Sequence, residues 1–539
     1  MKKAVGYLQS MQYRYPEERG GQFLRHLFFP TLLALLTGVL LTLSFPSPDQ
    51  GWVAWFALVP LVCACHERQG KPSFFLGLLS GFLATSGIFH WILKVQVFQW
   101  PHFLLLVLLA LFFAAYTALW CVGLSFLRDL SLPLLLTAPA LWVSLDYLRA
   151  HAGFVALPWT ILAHSQHTNL ALIQIASYTG EYGISFLIVM ANIGLSEAIL
   201  RKKWKGLIIA FCIIALLHSW GTKLLLRGTK ADRLKVAVIQ PNIPLSVGDS
   251  YLGEATHLSR LEGLTITVAK YKPALFVWPE SAVTDLHRRD ELVMQLRKIS
   301  KAANAPLLVG SSDYIALPSK NRSPPGGLIF IIPAYNAAYF ISPENSGGSL
   351  AKPYRKCILV PFGEYLPFPS LTKKLPDWLI PKLFESLPGN EYRTYIIHKD
   401  IKVSPIICWE NIFADYVRQL VREEQPHLIV QLTNDNWFGH TAAPYQHNIA
   451  SVFRAVENRV PIAIASNTGP SWVIDPMGRV VAEVEGLFIQ GAAVGEVSLR
   501  NDVTFYTKNG DLFVFMCMVL VMIAGLSTAF LRTQDKKTV

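Results

Sequence analysis

The sequence predicts a protein of two parts: a multi-span α-helical membrane domain and an α/β domain carried on it. Three observations predict this. Of 539 residues, 52% are hydrophobic and only 16% charged, where an average soluble domain carries about 25% charged residues. Seven apolar runs precede residue 228 and one follows residue 508. Between them, short β-branched runs alternate with helical patterns, the signature of an α/β domain.

The apolar runs cover 29–45, 52–66, 73–93, 103–127, 132–148, 180–200, 206–226 and 511–531. About 20 helical residues cross a hydrocarbon core of ~30 Å, so these are the expected spans. The first two are short and separated by Ser44-Phe45-Pro46-Ser47-Pro48, which allows a tight hairpin in place of two independent spans. Segment 132–148 starts at Pro133 and holds Pro139 and Asp146, which makes it the weakest of the eight. The first run lacks a small-residue cleavage site after it and reads as an uncleaved signal anchor. The domains are therefore expected at 1–227 (membrane, about seven helices), 228–508 (α/β) and 509–539 (last span and tail).

The formal charge of +12 invites a nucleic-acid reading, and its distribution argues against one. Residues 228–508 hold 29 basic and 26 acidic side chains, net +3, so the excess of +9 lies in the hydrophobic part. With the N-terminus inside, fifteen Lys and Arg fall on inner segments, among them Lys2, Arg68, Arg128, Arg201 and Lys536. The short outer loops carry only Lys94 and Arg149. That asymmetry satisfies the positive-inside rule. It puts both termini in the cytoplasm and 228–508 on the far side.

Within 228–508 the expected strands are Leu234–Gln240, Leu275–Trp278, Leu307–Gly310, Leu328–Ile332, Val403–Cys408, Leu428–Leu432, Pro461–Ser466 and Ala492–Val497. The expected helices are 254–271, 289–303, 411–424 and 445–458. Segment 362–390 is a Pro-punctuated apolar loop that includes Trp378 and Phe384. It either rests on lipid or packs on the domain's own core.

Five of the seven Cys lie in predicted spans, where a thiol is a small hydrophobe. Cys357 and Cys408 remain, and a disulfide between them is the bland reading in an oxidising compartment. The surroundings of Cys408 argue for a nucleophile. It ends a β-branched strand and precedes Trp409-Glu410-Asn411 and a helical pattern, where a helix N-terminus would favour the thiolate. Glu280 ends the strand before it in the same manner, and Lys356 precedes Leu359-Val360-Pro361-Phe362-Gly363-Glu364. Reactive groups collect at the carboxyl ends of parallel strands. A Glu can take the thiol proton, the thiolate can attack a carbonyl, and a Lys can hold the oxyanion.

At these residues the sequence resembles the nitrilase superfamily. The carriers are Trp278-Pro279-Glu280-Ser281, Lys356 with its LVPFGEY block, and Ile407-Cys408-Trp409-Glu410. It resembles in particular the membrane-bound branch, the apolipoprotein N-acyltransferases. Those motifs are Thr433-Asn434-Asp435-Asn436-Trp437-Phe438-Gly439, Gln446-His447, Arg454 to Glu457, Ser466-Asn467-Thr468-Gly469, Leu157-Pro158-Trp159 and Gly180-Glu181-Tyr182-Gly183. The resemblance implies an αββα sandwich for the α/β part. It also implies a ping-pong transfer from a phospholipid to the α-amino group of a diacylglyceryl-cysteine on an apolipoprotein. Cys408 would carry the acyl chain as a thioester, with Glu280 as base and Lys356 at the oxyanion. Glu364 and Glu410 would support that site, and Trp159, Trp378, Phe384, Trp409 and Trp437 would contact lipid. Trp409 stands where a Tyr is common in the family. No cofactor and no metal are expected; His440 and His447 read as turn and packing residues. The implied setting is a bacterial inner membrane with a periplasmic catalytic domain, a monomer, and no nucleic-acid partner.

Two other readings compete. A membrane-tethered amidase or hydrolase would use the same three residues with water as acceptor. A transporter or receptor would use the outer domain only to bind, but ionisable residues within the runs are few, chiefly Asp146 and Glu197. Since both expected substrates are lipids, the site should open at the membrane surface, between the loop 362–390 and the segment 150–179 with Phe154, Leu157 and Trp159.

Overall fold

In the computed structural model the described residues are 28–95, 102–128, 133–227, 232–243, 251–315, 333–343, 350–368, 370, 386–499 and 503–535. The first part is helical: α1 (Phe29–Leu43), α2 (Val59–Ala64), α3 (Lys71–Ile88), α4 (His102–Leu127), α5 (Leu134–Ala150), α6 (Tyr182–Arg201) and α7 (Lys205–Leu226). By length and composition α4, α6 and α7 are long and apolar enough to cross a membrane. Run 52–66 does not form one helix. It divides into a 3-10 turn, Gly51–Trp55, and the six-residue α2, which begins around Pro60. Backbone groups freed by this break need partners away from water, and buried side chains supply them. Asn192 accepts from Leu58 N (2.8 Å) and donates to Ala54 O (2.9 Å), while Thr37 Oγ1 accepts from Leu61 N (3.0 Å). Helices α3 and α4 approach closely because Gly77 and Gly81 face Ala118 and Ala114. A Cβ on either glycine would lie 2.7 Å from the opposing Cα.

The second part holds α8 (Tyr251–Ala269), α9 (Asp290–Ala303), α10 (Ala414–Glu424) and α11 (Ala443–Asn458) around two sheets. The first sheet has the order β13-β1-β2-β4-β5-β6: Gly491–Ser498, Arg233–Gln240, Leu275–Val277, Leu307–Tyr314, Ala334–Ile341 and Tyr354–Arg355. The two-residue β3, Val283–Thr284, pairs with β4. The second has the order β12-β11-β10-β9-β8-β7: Val480–Val484, Ser471–Ile474, Ile462–Ser466, Leu428–Thr433, Ile401–Ile407 and Tyr395–Ile397. Central pairs are parallel and outer pairs antiparallel. A short α12 (Phe505–Asn509) and the apolar α13 (Leu512–Asp535) complete the chain.

Side-chain alternation along the strands builds the layers. Val236 and Val238 of β1 pack with Val403, Ile407, Val430 and Leu432 between the sheets. Ala237 and Ile239 face the other way, onto Leu261, Leu292 and Leu296 of α8 and α9. The far face of the second sheet, Ile406, Ile429, Ile462 and Ile464, joins Val417, Leu420 and Phe453 of α10 and α11. That cluster continues without interruption into Tyr182, Ile184 and Ile188 of the helical bundle. The result is an αββα sandwich whose α10/α11 layer rests on the bundle.

The expected strands appear within a few residues, except Leu328–Ile332, which lies outside the described residues; the neighbouring strand is Ala334–Ile341. The hairpin β11–β12 was not foreseen, because its strands are four and five residues long and one is largely exposed. The helix expected over 411–424 begins at Ala414, after a separate 3-10 turn, Cys408–Ile412.

Candidate active site

The three residues singled out at strand ends converge. Glu280 follows β2 and Lys356 follows β6 in the first sheet, and Cys408 follows β8 in the second. Backbone geometry at this point is unusual for L-residues. Ser281, Phe362 and Cys408 have φ of 52°, 59° and 53°, a region that costs about 1–3 kcal/mol and persists where surrounding contacts over-determine it. Gly310 on β4 makes room for the turn at Glu280: a Cβ there would lie 2.3 Å from Pro279 O and 2.8 Å from Glu280 Cα.

Lys356 is buried between two carboxylates. Its Nζ donates to Glu364 Oε1 at 2.8 Å and stands 3.9 Å from Glu280 Oε1. Glu364 is held by its second oxygen, which accepts from Val360 N at 2.8 Å. Glu280 is tied by neutral donors: Asn336 Nδ2 to Oε1 at 2.5 Å and Asn434 N to Oε2 at 2.8 Å. Burial pushes the Glu280 carboxyl above its usual range, against the pull of Lys356. Burial opposes the charge on Lys356, but Glu364 and then Cys408 and Glu280 outweigh it and hold the ammonium above its ordinary value. Burial, and then the Glu280 carboxylate, push the Cys408 thiol well up. This corrects the expectation of a helix-stabilised thiolate. Cys408 opens a 3-10 turn rather than α10, and its burial opposes ionisation. The arrangement suits proton transfer to Glu280 as bond formation begins, with Lys356 beside the developing charge.

Glu410 is fully buried and uses both oxygens. Oε1 accepts from Cys357 N (2.7 Å) and Ile358 N (3.1 Å); Oε2 accepts from Ile407 N (2.7 Å) and Tyr354 OH (2.6 Å). It thereby ties the Lys356 loop to the strand that ends at Cys408. Cys357 and Cys408 are both free thiols, so the disulfide reading is set aside. Gln431 Nε2 donates to Cys408 O at 3.2 Å and Ser451 Oγ to Gln431 Oε1 at 2.6 Å, anchoring the turn from beneath.

On its open side Cys408 meets an apolar cluster built by both parts of the chain. Trp409 and Ile412 belong to it, with Phe45, Phe89, Trp91 and Trp159 from the helical part; Phe438 packs against it. Trp409 is oriented by its indole N–H, which donates to Ile358 O at 2.8 Å. Of the expected lipid contacts, Trp159 and Trp409 come together here. Trp437 is half-buried on the turn Asp435–Phe438, and it is Phe438 that stacks edge-on against Trp91 at 5.1 Å. Trp378 and Phe384 lie outside the described residues. At the near end of their loop Phe368 meets Phe154 edge-on at 5.0 Å. Asn336, Trp91 and Gln446 were missed as site residues. Gln446 sits in a quoted motif, but nothing local in the sequence marks Asn336 or Trp91.

His447 is not a free ligand. Its Nδ1 pairs with Asp435 Oδ1 at 3.0 Å and its ring stacks on Trp159. Among the described residues, no group of three or more His, Cys, Asp or Glu is arranged to hold a metal ion.

Residues 37–194 match the family described as the apolipoprotein N-acyltransferase N-terminal domain, and residues 235–501 match the carbon-nitrogen hydrolases. An apolipoprotein N-acyltransferase of Geobacter metallireducens is 33% identical over 90% of this chain and 93% of its own. One of Rhodopseudomonas palustris is 30% identical over 91% of this chain and 94% of its own. Among solved structures, an amidase from Nesterenkonia sp. is 17% identical over 53% of this chain and 97% of its own, with a TM-score of 0.37.

Proposed function

The chain belongs to the apolipoprotein N-acyltransferase family, and from that premise we propose that it N-acylates apolipoproteins in two half-reactions at Cys408. In the first, Sγ attacks an ester carbonyl of a phospholipid. The S–C bond forms, the ester C–O bond breaks, and the thiol proton passes through Glu280 to the departing lysophospholipid oxygen. In the second, the α-amine of a diacylglyceryl-cysteine attacks the thioester. The N–C bond forms, the C–S bond breaks, and an amine proton passes through Glu280 to the sulfur. Lys356 carries the oxyanion charge in both, Glu364 fixes Lys356, and Glu410 is a positioning residue. No cofactor takes part.

The observation that carries this reading is the apolar cluster at Cys408, made jointly with membrane helices. A small-amide hydrolase has no use for such a wall, whereas a thioester-bound acyl chain needs one. The contact between Phe154 and Phe368 supports substrate access at the membrane surface beside these two rings. The charge asymmetry supports a bacterial inner-membrane protein with both termini cytoplasmic and residues 228–508 periplasmic.

The test is to incubate purified protein with phospholipid and a diacylated lipopeptide, and to follow intact-protein and product masses. Wild type should gain one acyl mass and yield an N-acylated lipopeptide; Cys408→Ser should gain neither. Fatty acid release without an amide product would convert the assignment to a hydrolase. An adduct persisting in Cys408→Ser would remove Cys408 as nucleophile.

A further inference from the structure

Gln446, on α11, is buried where the two parts of the chain meet, and every hydrogen-bonding valence of its amide is used. Its Oε1 accepts from two indoles, Trp91 Nε1 and Trp159 Nε1, each at 3.0 Å. Its Nε2 donates to Pro46 O at 2.8 Å and Ile88 O at 3.2 Å. Two donors and two acceptors saturate a carboxamide, so this set admits one amide orientation and one placement of both indoles. All four partners belong to the membrane part: the turn after α1, the end of α3, the 3-10 turn after it, and the segment before α6. The next residue of α11, His447, stacks on the same Trp159 at 5.4 Å with planes 16° apart. Trp159 is thus held by its edge and its face from two consecutive residues of the catalytic domain.

Trp91 and Trp159 lie 5.8 Å apart, and both approach Phe438 in the cluster that receives Cys408. We infer that Gln446 is a positioning residue for acyl-chain selection: by locking Trp91 and Trp159 it sets the shape of the wall along which the Cys408-bound chain lies. This rests on the thioester reading above. The logic is one of rigidity. An apolar wall discriminates chain length only if its side chains hold still. Two indoles tied through buried hydrogen bonds to one amide have little freedom to shift, because displacement leaves donors unpaired.

The experiment compares rates of Cys408 acylation by p-nitrophenyl palmitate and p-nitrophenyl butyrate, read by nitrophenol release and adduct mass. The ratio of long- to short-chain rates isolates the wall from the reacting groups. Gln446→Leu frees both indoles, and the ratio should fall about tenfold, the worth of roughly two methylenes of lost contact. A role confined to folding would lower both rates together and leave the ratio where it was; that result overturns the inference. Trp159→Phe, which removes one indole N–H and keeps a ring, should lower the ratio in the same direction. It carries the test if Gln446→Leu does not fold, and an unchanged ratio there also overturns the inference. In a Trp91→Phe/Trp159→Phe background Gln446→Leu should add little, since the cycle measures the shared interaction; full additivity would refute the coupling. A wild-type protein that forms no adduct with either ester would instead defeat the thioester reading, so the two failures are distinguishable.

Discussion

Lys356→Met deletes the one ammonium lying between Glu280 and Glu364 and keeps the length of the side chain. At the observed 3.9 Å between Nζ and Glu280 Oε1, an effective dielectric constant near 20 gives an attraction of about 4 kcal/mol. Losing it shifts the balance between the Glu280 acid and its carboxylate toward the acid by on the order of a thousandfold. Burial already pushes that carboxyl upward, so the variant should lack its base at neutral pH. It also lacks the charge beside the developing oxyanion, and one such donor is worth roughly a hundredfold to a thousandfold. Acyl-enzyme formation, followed by intact-protein mass across a pH series, should fall at least a thousandfold at neutral pH. The residual rate should rise toward alkaline pH, in the range where Glu280 regains its charge. A Lys356→Met protein that acylates within tenfold of wild type, with the same pH profile, would refute the assignment of base and oxyanion partner together.

Two further outcomes follow from the same geometry. Glu410→Gln leaves one oxygen to serve four donors, so about two stay unpaired at roughly 1–3 kcal/mol each. Thermal unfolding should come down by roughly 5–15 °C and acylation should slow; an unchanged melting temperature would show that Glu410 ties nothing. At the seam between the parts, His151 Nε2 meets Asp415 Oδ2 at 2.8 Å, with Arg418, Asp511 and Tyr147 nearby. Burial opposes the imidazolium, but the hydrogen bonds to Asp415 and to Tyr147 O outweigh it and hold His151 above its ordinary value of 6.5. A histidine raised on folding stabilises fully below its unfolded value and loses that contribution as pH rises through the folded one. Melting temperature should therefore decline from mildly acidic to mildly alkaline pH, and His151→Ala should flatten that slope; an identical slope in the variant would exclude the pair as its source.

Much of this protein was legible locally. Glu280 and Cys408 each end a short apolar run, and Lys356 stands just ahead of the Leu359-Val360-Pro361-Phe362-Gly363-Glu364 block; parallel sheets gather strand ends, and that is why position and motif named the residues that converge. The αββα layers followed from the resemblance and are written in the strands, where Val236 and Val238 turn one way and Ala237 and Ile239 the other. The state of Cys408 was not legible. A strand-to-helix turn suggests a thiolate, but the helix starts six residues later, and burial beside Glu280 reverses the sign. Nor was the break in run 52–66, which looks apolar throughout yet splits because Asn192 and Thr37, far along the chain or in a neighbouring helix, satisfy its open backbone groups.

Periodicity, β-branching and charge asymmetry act over a few residues, so the sequence by itself determined the two-part plan, the strand ends and the candidate residues Glu280, Lys356 and Cys408 that converge. Which donor meets which acceptor depends on chain segments brought together by folding. Trp91 and Gln446 are 355 positions apart and bond at 3.0 Å, and Asn336 on β5 reaches Glu280, which follows β2, past the intervening β4. No local pattern encodes such a meeting, because its energy arises only when water is excluded from both partners at once. Tertiary structure alone therefore decided the burial of Cys408 beside Glu280, the anchoring of Glu280 and the joint wall that Trp91 and Trp159 present to Cys408.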